Sequence, residues 1–281
     1  MDLLIFLEFM HAGFSGQSLL FSVIYSGWVM TIRLYNLSAG YDRHPVVHHV
    51  DCSFTDTSLT AVVGPNGGGK STLLKTISGL VPLMTGKIDF GDIKPNEIAY
   101  LPQQFEIDRT FPISVLGVVM LGLWPRIGAW GRIRKSHKNE ALQALEQVDM
   151  VTFAQRPVIA LSTGQWQRVL FARLILQRAR LILLDEPFAA IDGHTTLDLM
   201  LELKHWRQEG VTIICVMHDL HLVRDHFPQA IVLARDLVAW GDTNDALCRE
   251  NLDRALCLAG KWTNSAEMCE TNGEKNHWYD H

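Results

Sequence analysis

The nine residues "GPNGGGKST", Gly64 to Thr72, constrain this chain more than any other stretch. They follow a short apolar run, "TAVV", and lead into "KSTLLKTISGL", whose apolar spacing is helical and which ends near Gly79, a residue suited to a C-cap. A glycine-rich turn between a buried strand and a helix N-terminus lets backbone amides curl inward towards an anion. Gly64, Gly69, Lys70 and Ser71 satisfy every fixed position of G-x-x-x-x-G-K-[ST], with Pro65, Asn66, Gly67 and Gly68 between them. In such a loop Lys70 would reach the β- and γ-phosphates of a nucleotide, and the Ser71 hydroxyl would join a Mg²⁺ shell.

Two further apolar runs end in residues that chemistry could use. "ARLILLDEP" delivers Asp185 and Glu186, and "GVTIICVMH" delivers His218. Unbroken apolar runs of this kind are expected of central parallel strands, with function at their carboxyl ends. Asp185 could hold Mg²⁺, Glu186 could polarise an attacking water as general base, and His218 could contact a γ-phosphate or orient that water.

Elsewhere, "TIRLYNLSAGY" and "VVHHVDCSF" read as half-exposed strands, and "GKIDFG" and "IAYLPQ" as two short ones. Between about 104 and 165 the character turns helical. "SVLGVVMLGL" and "HKNEALQALEQVDM" are predicted helices joined by "PRIGAWGRIRK", an insertion between strand-bearing halves. "AIVLARDLVAWGDT" predicts a closing hairpin, and the polar tail 262–281 is expected to be loosely ordered.

Residues 1–29 hold no Lys or Arg, so they lack the positive region of a signal peptide, and Glu8, His11 and Gln17 interrupt their apolar stretches. They are expected to be an extension ahead of a start at Met30, with a short membrane-associating arm as the alternative. The chain has 281 residues and a net charge of −5, which gives no electrostatic reason to expect nucleic acid as a partner. Its five cysteines are scattered, without a CxxC pair, and read as reduced thiols, Cys215 being a small core residue.

Taken in order, these motifs resemble the ATP-binding cassette (ABC) ATPases from Met30 to about residue 245. The resemblance implies an α/β P-loop NTPase fold with an antiparallel β subdomain and an inserted helical subdomain at about 104–165, within a domain spanning 30–261. It implies ATP and Mg²⁺ as ligands. Tyr41 in "SAGYD" matches the aromatic that stacks on adenine, and Gly64 to Thr72 match the Walker A loop. Gln103 in "YLPQQ" matches the glutamine that senses Mg²⁺ and the γ-phosphate, "LILLDEP" matches Walker B, Asp192 in "AAID" the D-loop, and His218 the switch histidine.

"LSTGQ", Ser162 to Gln165 after Leu161, matches the family signature. On its own it reads as a second anion site: Ser162 or Thr163 can cap a helix, Gly164 leaves amides uncovered, and a helix N-terminus carries about half a positive charge. The resemblance implies that two subunits pair head to tail, each signature turn closing on the other's nucleotide. The family usually has glycine where this chain has Thr163, so hydrolysis is expected to be retained and slower. A lone cassette is similar to importer subunits that work with separate permeases on the cytoplasmic face of the inner membrane, supplied by an outer substrate-binding protein. "FPISV" and "GYDRHPVVHHV" are most similar to the metal-cation branch, zinc first, with manganese next and iron-siderophore or cobalamin importers further off. A regulatory ATP-dependent dimer with little hydrolysis is the alternative of another class.

Three clusters outside these motifs carry plainer expectations. His48 and His49, as strand neighbours, should point to opposite faces and not chelate together. Cys269, His277 and His281 lack recognised ligand spacing. Arg126, Arg132, Arg134, Lys135 and Lys138 should form a solvated face.

Overall fold

The computed structural model describes residues 31–103, 109–128 and 131–262; the extension 1–29 and residues 263–281 of the tail lie outside them. Strand β1 (Thr31–Tyr41) pairs antiparallel with β2 (His44–Thr55) and β4 (Leu83–Asp89), giving a three-stranded sheet in the order β2-β1-β4. Val47, Val50, Cys52 and Phe54 of β2 are buried. The register shifts twice between Leu34 and Ala39, and His49 takes a positive φ of 46° in the bulge. There its Nδ1 lies 2.7 Å from Asn36 Oδ1. The simple alternation expected for His48 and His49 is therefore broken, because a bulge interrupts the two-residue period.

The second sheet has six strands in the order β5 (Ile98–Leu101), β6 (Leu181–Asp185), β7 (Thr212–Val216), β3 (Leu59–Val63), β8 (Gln229–Ala234) and β9 (Asp236–Asp242). All neighbours are parallel except β8 and β9, the expected hairpin. Every residue of β3, β6 and β7 is buried, which is why these runs read as continuously apolar. Their alternate side chains feed two cores. Leu181, Leu183, Ile214 and Val216 join the face that packs on β1, β2 and helix α1 (Lys70–Ile77). Ile182, Leu184, Ile213 and the fully buried Cys215 join the opposite, helical face. Each fully buried Leu or Ile contributes about 1.5–3 kcal/mol.

On the helical side, α2 (Val115–Met120) and α4 (Lys135–Gln147) pack against α5 (Thr163–Gln177). The predicted helix 114–123 is capped by Ser114, whose Oγ accepts the Gly117 amide. It stops at Met120 and tightens into a 3₁₀ turn, Leu121–Leu123, before α3 (Trp124–Ile127). Gly122 explains the tight packing, since a Cβ there would sit 2.4 Å from the Arg173 carbonyl oxygen. Arg126, Arg132, Arg134, Lys135 and Lys138 are exposed, as expected, and on that face Arg126 pairs at 2.9 Å with Glu140, whose same carboxylate oxygen Arg178 shares at 3.1 Å. After β6 come α6 (Gly193–Gln208) and, after β7, α7 (Leu220–His226). Helices α8 (Thr243–Ala246) and α9 (Arg249–Trp262) close the described chain. No helix among the described residues is long and apolar enough to cross a membrane.

Candidate active site

Because β3, β6 and β7 run parallel, their carboxyl ends open on one edge and deliver the loop at Gly64, the pair Asp185–Glu186, and His218. The loop lies against β8. Gly64 has φ 148°, and a Cβ there would stand 1.9 Å from Leu233 O, so only glycine fits. Gly69 is the N-cap of α1 in the left-handed region and offers no side chain to the first-turn amides, which stay available to a ligand. Lys70 is buried and donates to Gly64 O (2.9 Å) and Pro65 O (3.0 Å). Burial lowers its pKa, while Glu186 and Asp185 pull the other way.

Asp185 is fully buried. Ser71 Oγ donates to its Oδ1 at 3.0 Å, and Tyr100 OH donates to its Oδ2 at 3.3 Å. Burial raises the pKa of this carboxyl, and those two hydrogen bonds offset part of the rise. A buried carboxylate with a serine hydroxyl hydrogen-bonded to it offers the hard oxygens that Mg²⁺ takes, while Gln103 turns its Nε2 towards them and would have to turn its amide oxygen inward to join. Ser71, Asp185 and Gln103 are the residues that would hold the ion.

Glu186 follows β6 with φ 51°, a strained conformation for a non-glycine residue that costs on the order of 1–3 kcal/mol. That bend aims its carboxylate at two partners. Gln103 Nε2 donates to Glu186 Oε1 at 2.7 Å and lies 3.5 Å from Ser71 Oγ; His218 Nε2 lies 2.5 Å from the same Glu186 oxygen. Ser71, Gln103, Asp185, Glu186 and His218 thus form one hydrogen-bonded set, with the Lys70 ammonium within its field. Tyr100 is the member that sequence reading missed; a tyrosine within a short strand carries no motif of its own.

Other expected residues stand apart from this set. Tyr41, at the end of β1, is half exposed. Ser162 caps α5: its Oγ accepts the Gln165 amide (3.2 Å) while Gln165 Oε1 accepts the Ser162 amide (3.1 Å), a complete capping box. Thr163 takes the first helical position. Asp192 caps α6, with Oδ1 accepting the Thr195 amide (2.9 Å) and Oδ2 its hydroxyl (2.8 Å). A Cβ on Gly164 would come within 3.5 Å of Asp192 Oδ2, so the starts of α5 and α6 adjoin. Among the described residues no hydrogen bond joins Ser162–Gln165 to the loop at 64–72.

Comparison with known proteins accords with this geometry. The ABC transporter family pattern matches residues 47–189. The manganese transport system ATP-binding protein MntB of Listeria monocytogenes is 41% identical over 229 residues, covering 80% of this chain and 95% of the relative. The zinc transport system ATP-binding protein TroB of Treponema pallidum is 36% identical over 234 residues, covering 82% and 88%. Among solved structures, a chain of an inward-facing ABC transporter assigned to the metal-chelate type aligns with a TM-score of 0.72 at 28% identity, covering 81% of this chain and 89% of that one. The dimeric ABC transporter cassette MJ0796 aligns with a TM-score of 0.65 at 26% identity, covering 75% and 98%. With its cradle, its paired carboxylates and its capped signature turn, this chain belongs to the ABC transporter family as an ATP-hydrolysing, ATP-binding cassette.

Proposed function

We propose that the chain is the ATPase subunit of an importer of a divalent metal ion, working as a head-to-tail homodimer beneath a separate membrane permease. The relatives' names support metal as the cargo and divide between manganese and zinc. Zinc, expected from the sequence, and manganese are therefore the two cargoes to test. The cytoplasmic face of the membrane and an outer substrate-binding protein follow from the same reading.

The hydrogen-bonded set around Glu186 carries the mechanism. The first-turn amides of α1 and the Lys70 ammonium bind the β- and γ-phosphates of ATP. Mg²⁺, when bound, neutralises charge developing on those phosphates. Lys70 must leave the Gly64 and Pro65 carbonyls, or share them, to reach phosphate. Glu186 accepts the proton of the attacking water, His218 and Gln103 hold that carboxylate in line, and Tyr41 stacks on the base. The partner's Ser162–Gln165 turn presents the amides of Thr163 and Gly164, which the capping box leaves unspent, to the γ-phosphate. ATP then holds the dimer closed and ADP does not, because only the triphosphate spans both subunits.

Glu186→Gln tests this reading. It should lower phosphate release by about 10²- to 10⁴-fold, the usual contribution of a general base, while keeping ATP affinity and trapping an ATP-dependent dimer visible by light scattering. Wild-type protein without turnover, even with its permease, would favour the switch-like alternative. Zinc and manganese accumulation in cells carrying wild-type or Glu186→Gln chain identifies the cargo as the metal whose uptake the substitution abolishes.

A further inference from the structure

Two segments far apart in sequence run side by side next to the signature turn. One follows Gln103, and the other leads into Ser162. Ile113 O accepts the Val158 amide (3.1 Å), the Val115 amide donates to Arg156 O (2.9 Å), and the Leu116 amide donates to Ala154 O (2.9 Å). Ser114 and Pro157 form an antiparallel bridge within this seam. Arg109 extends the seam to the edge of the signature. Its Nη2 donates to Leu161 O at 2.5 Å and lies 3.3 Å from Val158 O. Its guanidinium stacks on the Trp166 ring at 5.5 Å.

Leu161 directly precedes the N-cap, and Trp166 sits in the first turn of α5, so Arg109 grips the turn from both sides. Trp166 is buried and its Nε1 has no hydrogen-bond partner, so the cation on its face is the polar contact its ring receives. Arg109 forms no ion pair among the described residues. Its charge is met by carbonyl oxygens and a ring face, an arrangement that suits a planar fork of donors and not a compact ammonium.

We infer that Arg109 is a positioning residue for the trans-acting signature turn, fixing the direction in which the Thr163 and Gly164 amides face the partner's ATP. The inference rests on the head-to-tail reading above. Among the described residues Arg109 has no hydrogen bond or ring contact with the cradle at 64–72 of its own subunit, so it should govern dimer closure and turnover without altering ATP capture.

The test places Arg109→Ala and Arg109→Lys in the full chain, each alone and combined with Glu186→Gln. In the Glu186→Gln background both should raise the ATP concentration for half-maximal dimerisation by about tenfold, the scale of a lost charge-assisted hydrogen bond. Alone, both should lower kcat by a similar factor. Binding of a fluorescent ATP analogue to the monomer should change less than twofold. Dimerisation at wild-type ATP levels in Arg109→Ala overturns the inference. So does full recovery in Arg109→Lys, which would make charge and not the fork responsible, and so does a parallel loss of monomer nucleotide affinity, which would mark general damage. If the Glu186→Gln parent itself never dimerises with ATP, the head-to-tail reading fails instead, and that outcome is separable from the others.

Discussion

In the function proposed above two helix N-termini of this chain meet phosphate, and they are finished to different degrees. At α1 the cap is a glycine without a side chain, the loop is wedged against β8 at Gly64, and the charged partners Lys70 and Asp185 are buried beside it. At α5 the N-cap Ser162 is exposed, Thr163, Gly164 and Gln165 are half-buried, and the turn has closed on itself through Ser162 and Gln165. The first site is complete within one chain, with its amides unspent. The second has used two of its groups to hold its own shape, and what remains must find a ligand outside the chain. Rigidity inherited from a buried sheet suits capture, whereas a self-capped turn on helices suits a contact that is made and released.

Substitutions can break this contrast, and the largest effect is expected at Gly64. Gly64→Ala drives a methyl into the Leu233 carbonyl at a φ that L-residues avoid. It should abolish binding of a fluorescent ATP analogue and lower the melting midpoint; near-normal binding would show that the loop is not wedged.

Asp185 sharpens the contrast by way of pH. Burial raises its pKa, so the nucleotide-free fold prefers the protonated carboxyl and loses stability as pH rises through that value. Asp185→Asn imitates the protonated form at every pH. In EDTA at about pH 8 it should raise the melting midpoint by about 2–4 °C, or about 1 kcal/mol, and the gain should fade as pH drops through the folded pKa. A midpoint that falls at high pH would remove the claim that the buried charge of Asp185 is only partly compensated by Ser71 and Tyr100.

The smallest effect belongs to the second terminus. Thr163→Gly removes a β-branched side chain from the first helical position while Ser162 and Gln165 keep the cap. Turnover should stay level or rise by about threefold at most, the rate equivalent of the few tenths of a kcal/mol at stake there, with monomer ATP binding unchanged. A large loss of phosphate release would make Thr163 a required contact.

The same contrast explains what could be read in the sequence. The cradle, Asp185–Glu186 and His218 were legible because each chemistry demands particular residue types at the ends of buried, continuously apolar strands. The cap at Ser162 was legible because a cap is a local device, although the reciprocal bond from Gln165 was not read. Tyr100 and Arg109 were not, since their partners lie 85 and 52 residues away and neither position has a periodicity to betray it. The bulge at His49 was hidden for a similar reason: register between β1 and β2 is set by packing of both strands on the core. The Arg126–Glu140 pair was hidden too, because Glu140 belongs to another helix.

Gln103 and His218 both converge on Oε1 of Glu186. Both hold one and the same oxygen, and among the described residues no hydrogen bond takes Oε2, the atom left for the proton of the attacking water in the proposed reaction. Aim and proton uptake are thus divided between the two oxygens of a single carboxylate.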